Sequence, residues 1–202
     1  MNLNIATAYA GLLTIANPFN DIPTFLALTA GQSANKRRAT AAGISLAVAV
    51  IFTVALFLGE GLLRAFSIDL DAFRFAGGLV LAILGMNMLN SSPDTDESLA
   101  PMKELPIVPL AIPALAGPGA LSFVIAWNNE VEKAADYGIL LIAIVLVSLT
   151  VLVVFGVSPL LARVLGHTGL NIMTKIFGLL LLALAVGLAF DALGAVFPGL
   201  LA

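Results

Sequence analysis

The chain has 202 residues, of which 60% are apolar and only 10% charged, with a net charge of −3 and no cysteine. Its mean hydropathy of +1.08 lies far above that of a soluble domain, where roughly 45–50% of residues are apolar and about 25% charged. These figures exclude a water-soluble enzyme, a nucleic-acid binder with a basic stripe, a disulfide framework and thiolate chemistry, and the single His167 leaves no imidazole cluster for a metal.

An integral membrane protein remains. Six uncharged runs cover 1–20, 39–59, 75–93, 105–129, 137–162 and 176–190, the last resuming at 192–202. Each approaches the roughly 20 apolar residues that carry a helix across a hydrocarbon core. The fold class expected is therefore all-α, a polytopic protein of six transmembrane helices. The alternating pattern of an outer-membrane barrel is absent. The first basic residue is Lys36, so no charged n-region marks a cleavable signal peptide. Lys36, Arg37, Arg38, Lys103, Arg163 and Lys175 fall on one side of the spans, and Arg64, Arg74 and Lys133 on the other. Basic residues near span ends stay cytoplasmic, so both termini are expected outside.

The first span is too long for one straight helix. Residues 1–30 would run about 45 Å, some 15 Å more than the core requires. They contain Asn17-Pro18-Phe19-Asn20-Asp21-Ile22-Pro23. The fourth span repeats the device with Pro113-Ala114-Leu115-Ala116-Gly117-Pro118-Gly119. Each proline removes a backbone donor and pushes its predecessor out of the helical region, so two prolines five apart open a helix rather than kink it. Open backbone at membrane depth is tolerated only inside protein or beside a wet cavity. Two such breaks near the midplane therefore point to an internal polar site.

The breaks also align with each other. Pro18 and Pro23 lie over Pro113 and Pro118, and Arg74-Phe75-Ala76-Gly77 lies over Lys175-Ile176-Phe177-Gly178. Three spans per half make the second half enter the membrane the other way up. The expected organisation is a 3+3 inverted repeat: residues 1–90, a cytoplasmic linker at 91–105, and residues 106–202. Matching broken spans in inverted halves are the sequence pointer to a secondary transporter's site, about which the two halves can rock.

The break residues suggest what is bound. A restarting helix offers free N–H groups and a positive dipole end to an anionic group. In the first half the candidates are Asn17, Asn20, Asp21 and Thr24. In the second they are Ala116, Gly117, Gly119, Ala120 and Leu121, small side chains for the most part, which leave backbone open to a small ligand. Asp21 either receives the ammonium of a zwitterionic amino acid, carries a proton during transport, or caps the restarting helix. Asn87 lies deep enough in the third span to reach a cavity or to bond another helix. Asp191 reads as a snorkelling interfacial residue in preference to a proton relay, and Arg74 and Lys175, at matching helix starts, as interfacial anchors in preference to gate residues. Ser148 and Thr150 read as packing residues. Residues 60–71 and 158–169 are each expected to form a short interfacial helix between spans. The Gly and Ala faces of the third and sixth spans suit a homodimer.

The string Asn17-Pro18, Ile22-Pro23-x-Phe25-Leu26-x-Leu28-Thr29 with the following Lys36-Arg37-Arg38, then Phe73-Arg74-x-Ala76-Gly77-Gly78-Leu79, then Val108-Pro109-Leu110-Ala111-Ile112-Pro113-x-Leu115-Ala116-Gly117-Pro118-Gly119-Ala120, resembles the signatures of the MarC family in order. The family usually has Gly and Asn where this chain has Asn20 and Asp21. The resemblance implies a six-span protein of the prokaryotic inner membrane, related to LysE-type exporters, some of whose members transport small neutral amino acids such as glycine and alanine.

The function expected is a proton-coupled secondary transporter of glycine or alanine, with no cofactor, metal or nucleic-acid partner. An intramembrane enzyme would need paired carboxylates at one depth, a zinc motif or a Ser–His pair, and none is present. A lipid or polyprenyl-phosphate carrier would add Arg or Lys at depth, and a channel fits opposed broken helices less well than alternating access does.

Overall fold

A computed structural model of the chain describes residues 4–90, 115–128 and 133–197. The linker at 91–105, Pro113 and the side chains of Pro118 and His167 lie outside what is described. Among the described residues there are seven helices and no strand.

The first expected span is divided in two. Helix α1 (Ile5–Ala16) begins where the Asn4 side chain accepts from the Thr7 N–H at 2.9 Å. It ends at Asn17, whose backbone adopts the left-handed conformation (φ 34°). Asn tolerates that region better than other side chains, and Pro18 cannot extend the helix. Helix α2 (Ile22–Leu28) restarts with Pro23 in its first turn, where a missing N–H costs nothing.

Helix α3 (Ala34–Ala65) is capped by Ser33 and runs without interruption through Glu60. Residues 60–65 therefore do not form a separate interfacial helix. A Glu60–Arg64 ion pair one turn apart supports continuation, and a chain turn with Ser67 at positive φ leads on. Helix α4 (Leu70–Asn90) starts where the Asp69 carboxylate accepts from Asp71 and Ala72 N–H groups at 2.9 and 3.0 Å.

In the second half, α5 (Pro118–Asn128) opens directly on its proline, and α6 (Ala134–Gly156) follows. Helix α7 (Ser158–Val196) is broken internally at Gly166, whose φ 59° and ψ −175° are non-helical. Here a short helix does precede the spanning part.

Among the described residues, four helices are long and apolar enough to cross a membrane: Ala34–Ala65, Leu70–Asn90, Asp136–Gly156 and Thr168–Val196. Ile5–Ala16 is apolar but shorter. Exposed Leu46, Val50, Val54, Leu58 and Leu62 form an outward stripe on α3, while Ile44, Val48, Phe52 and Leu56 on the other side are fully buried. That outward stripe is apolar, as a lipid-facing surface must be.

The long helices pair across the two halves. Ser45 donates to the Ser148 carbonyl, and Phe57 stacks on Tyr137 at 5.7 Å. Moving forward along α3 thus moves backward along α6, so the pair is antiparallel. A Cβ on Gly78 would stand 2.9 Å from the Ala185 carbonyl oxygen, and one on Gly85 2.8 Å from that of Gly178. Seven residues forward in α4 are seven back in α7, a second antiparallel pair. The short helices cross over: α5 lies on α3 and α4, whereas α2 lies on α6 and α7. Helix α1 also packs on the second half, chiefly on α6.

Within the described first half, α3 and α4 hardly touch, and the long helices of each half pair with those of the other half. Gly78 and Gly85 of α4 and Gly178 of α7 pack against the facing helix within one chain.

A candidate site at the interrupted helices

The turn between α1 and α2 is built from polar groups inside the protein. Asn17 is 5% exposed. Its side-chain N–H faces the Met88 sulfur at 4.0 Å, and its Oδ1 has no hydrogen-bond partner among the described residues. Asn20 and Asp21 are half-buried and meet at 3.5 Å, the Asn20 amide donating to the carboxylate. Asp21 occupies the N-cap position of α2, yet its side chain makes no capping bond. Of the three roles open to Asp21, the cap is therefore not made; the Asp21 carbonyl, not its carboxylate, accepts from the Phe25 N–H. Thr24 is half-buried, Pro18 is buried and Pro23 is exposed.

Before α5, Ala116 and Gly117 are buried in non-helical backbone. Gly119 and Ala120 follow in its first turn, both buried, with Leu121 half-buried. Gly119 does not leave backbone open to a ligand: the Leu81 side chain of α4 occupies the space where a Cβ would stand. The two interruptions share α4 as a neighbour, Met88 meeting Asn17 and Leu81 covering Gly119. Seven helical residues place these contacts about 10 Å apart along α4. Asn87, expected to reach a cavity or another helix, is exposed instead, because Gly85 and Met88 occupy the face of α4 that turns inward.

A cavity of about 440 Å³ lies between α1, α4, α5 and α7. It runs along α7 from Leu180 to Asp191 and along α1 from Thr7 to Thr14. Eleven helical residues span about 16 Å, so the cavity reaches from one end of the α7 span to its middle. Its inner end, at Thr14, is three residues from Asn17. The hydroxyls of Thr7 and Thr14 donate to their own helix carbonyls at 3.0 and 2.8 Å, which leaves their oxygens free to accept.

Two charged residues that read as interfacial in the sequence line this cavity: Arg74 and Asp191. The Arg74 side chain is 14% exposed, donates to Asp71 at 3.2 Å, and donates to the Ala126 carbonyl at 2.8 Å. Lys175, aligned with it by the repeat, is exposed. None of the ten residues expected to bind substrate lines the cavity. The signal available in the sequence is a charge inside or at the start of an apolar run, which is costly at depth. The shared cavity is not legible there, since 117 positions separate the two residues.

Just past the inner end of the cavity the helices are in direct contact. Phe19 stacks on Phe177 at 5.4 Å, and a Cβ on Gly178 would stand 2.9 Å from that of Met88.

Comparison with known proteins gives a consistent picture. The profile described as "MarC family integral membrane protein" matches residues 3–197. The chain is 36% identical to the UPF0056 membrane protein YhcE of Escherichia coli (strain K12) over 200 residues, covering 96% of this chain and 93% of that one. It is 34% identical over 193 residues to a UPF0056 membrane protein of Aquifex aeolicus, covering 92% and 90%. No solved structure matches.

Proposed function

The chain belongs to the MarC family of integral membrane proteins, and from that premise we propose that it is a secondary transporter of small neutral amino acids, glycine and alanine. One observation carries the reading. A cavity bounded by helices of both halves runs from one end of α1 and α7 to the middle of the bundle and stops beside a helix interruption. That is the form a binding site takes when only one side of the membrane has access to it.

The architecture agrees with a 3+3 inverted repeat of six spans, with spans 1 and 4 broken near the midplane. An inverted repeat requires corresponding helices to run antiparallel when they pair, and α3/α6 and α4/α7 do so. It also requires α2 and α5 to have matching surroundings in the opposite half, and each rests on the other half's long pair. With both termini outside, the Asp191 end of the cavity lies toward the exterior of the inner membrane, and the Phe19–Phe177 contact lies on its cytoplasmic side. Alternating access moves the α4/α7 pair against the α3/α6 pair. Asp21, a carboxylate in the α1/α2 turn with one weak partner, is the proton-coupling group.

The test is uptake of labelled glycine and alanine into proteoliposomes, with and without an imposed pH gradient, for the wild type and Asp21→Asn. Saturable uptake that the gradient stimulates in the wild type alone is the expected result. Gradient-stimulated uptake that persists in Asp21→Asn removes Asp21 from coupling and keeps the transporter. Absence of uptake for both amino acids overturns the transporter reading in favour of a lipid-phosphate carrier.

A further inference from the structure

We propose that Arg74 and Asp191 hold the two ends of one zwitterionic α-amino acid in the cavity between α1, α4, α5 and α7, Arg74 binding the carboxylate and Asp191 the ammonium. This rests on the transporter reading and names the part of the site that selects the substrate. Both side chains line the same cavity. They do not pair with each other: the ion pairs among the described residues are Glu60–Arg64 and Asp71–Arg74.

The Arg74 guanidinium is held in place, not saturated. One terminal nitrogen is fixed by Asp71 and the other by the Ala126 carbonyl. A guanidinium has five N–H donors in a planar fork, so donors remain for a carboxylate. Asp71 lies one turn earlier on α4 and Ala126 near the end of α5, and together they set the direction of the fork before any ligand arrives. Asp191 has no hydrogen-bond or ion-pair partner among the described residues.

The rest of the lining carries no charge, with Ala183, Gly187 and Leu188 of α7, Ala10 of α1 and Phe123 and Trp127 of α5. A ligand carrying only one charge answers one of the two groups and leaves the other without a partner. A zwitterion satisfies both. The lack of any further charged group in the lining argues against acidic or basic side chains on the substrate.

The test uses the full chain, purified and reconstituted, and compares the wild type with Asp191→Asn, an exposed position where substitution spares the core. In the wild type, unlabelled alanine inhibits labelled glycine uptake, while propionate and ethylamine, each with one charge, do not. Asp191→Asn raises the KM for glycine about tenfold or more, the loss expected for one charge-assisted hydrogen bond, and propionate becomes an inhibitor. A purely structural role would not change that selectivity. Ligand-induced thermal stabilisation gives an independent reading: glycine raises the Tm of the wild type, and Asp191→Asn loses the increase. An Asp191→Asn protein with wild-type KM, or one that glycine still stabilises fully, overturns the pairing while the transporter stands. A wild type that neither takes up nor is stabilised by glycine or alanine overturns the transporter reading itself.

Discussion

Gly85 of α4 and Gly178 of α7 meet so closely that a Cβ on Gly85 would stand 2.8 Å from the Gly178 carbonyl oxygen and 3.1 Å from the Leu182 nitrogen. These are backbone atoms of a helix and cannot swing aside. In a bilayer, where lipid and side chains are equally apolar, close backbone approach at small residues is a main source of helix association. Gly85→Val must push α4 and α7 apart along the whole contact. The expected cost is about 1–3 kcal/mol, the usual range for overpacking, read as a fall in Tm of the detergent-purified protein. Gly187→Ala, at a position where nothing stands within 4 Å of an added Cβ, should leave Tm unchanged.

Gly166 supplies a different kind of constraint. Nothing stands within 4 Å of where its Cβ would be, yet its φ 59° and ψ −175° fall where only glycine is comfortable. Gly166→Ala therefore adds no clash and isolates backbone strain, expected at about 1–3 kcal/mol. If the kink between the short helix from Ser158 and the following span is required, Tm falls accordingly. An unchanged Tm would mean the two segments can realign into one helix.

The interruptions are legible in the sequence and the helix faces are not. Pro18 and Pro23 act on the backbone locally, so the end of α1 and the start of α2 can be read from them alone. Asp21 as a cap is reasonable from position, but a cap needs its carboxylate to turn back onto the helix, and here it meets Asn20 instead. Gly119 reads as open because a glycine says nothing about what fills the space beside it; Leu81 does. Asn87 follows from depth along a helix, which leaves rotation about the axis unknown. Arg74 and Asp191 share a cavity only because α4 and α7 pair antiparallel, a tertiary fact no local pattern encodes.

Two serines at one contact separate a useful hydroxyl from an unused one. Ser45 donates across to the Ser148 carbonyl, whereas the buried Ser148 hydroxyl has no partner. Ser45→Ala removes an interhelical hydrogen bond, a loss of about 0.6–1.7 kcal/mol for such bonds in membranes, while the Ser148 carbonyl keeps its place in the α6 ladder. Ser148→Ala deletes an unsatisfied buried polar atom, so its Tm should equal or exceed that of the wild type. A denaturation series of both single variants checks the order.

Asn17 combines a backbone role and a side-chain role that two substitutions can pull apart. Its left-handed φ of 34° ends α1, and its Oδ1 is buried without a partner, three residues beyond Thr14 at the inner end of the cavity. Asn17→Gly keeps the turn, since glycine enters that region without strain, but removes the amide. Asn17→Ala removes the amide and adds backbone strain of about 1 kcal/mol. If the amide serves the transported ligand, both variants lose uptake to a similar degree, while only Asn17→Ala loses stability. Asn17→Gly with wild-type uptake would confine Asn17 to shaping the turn. The comparison works because the fold reads the φ angle and the ligand reads the oxygen.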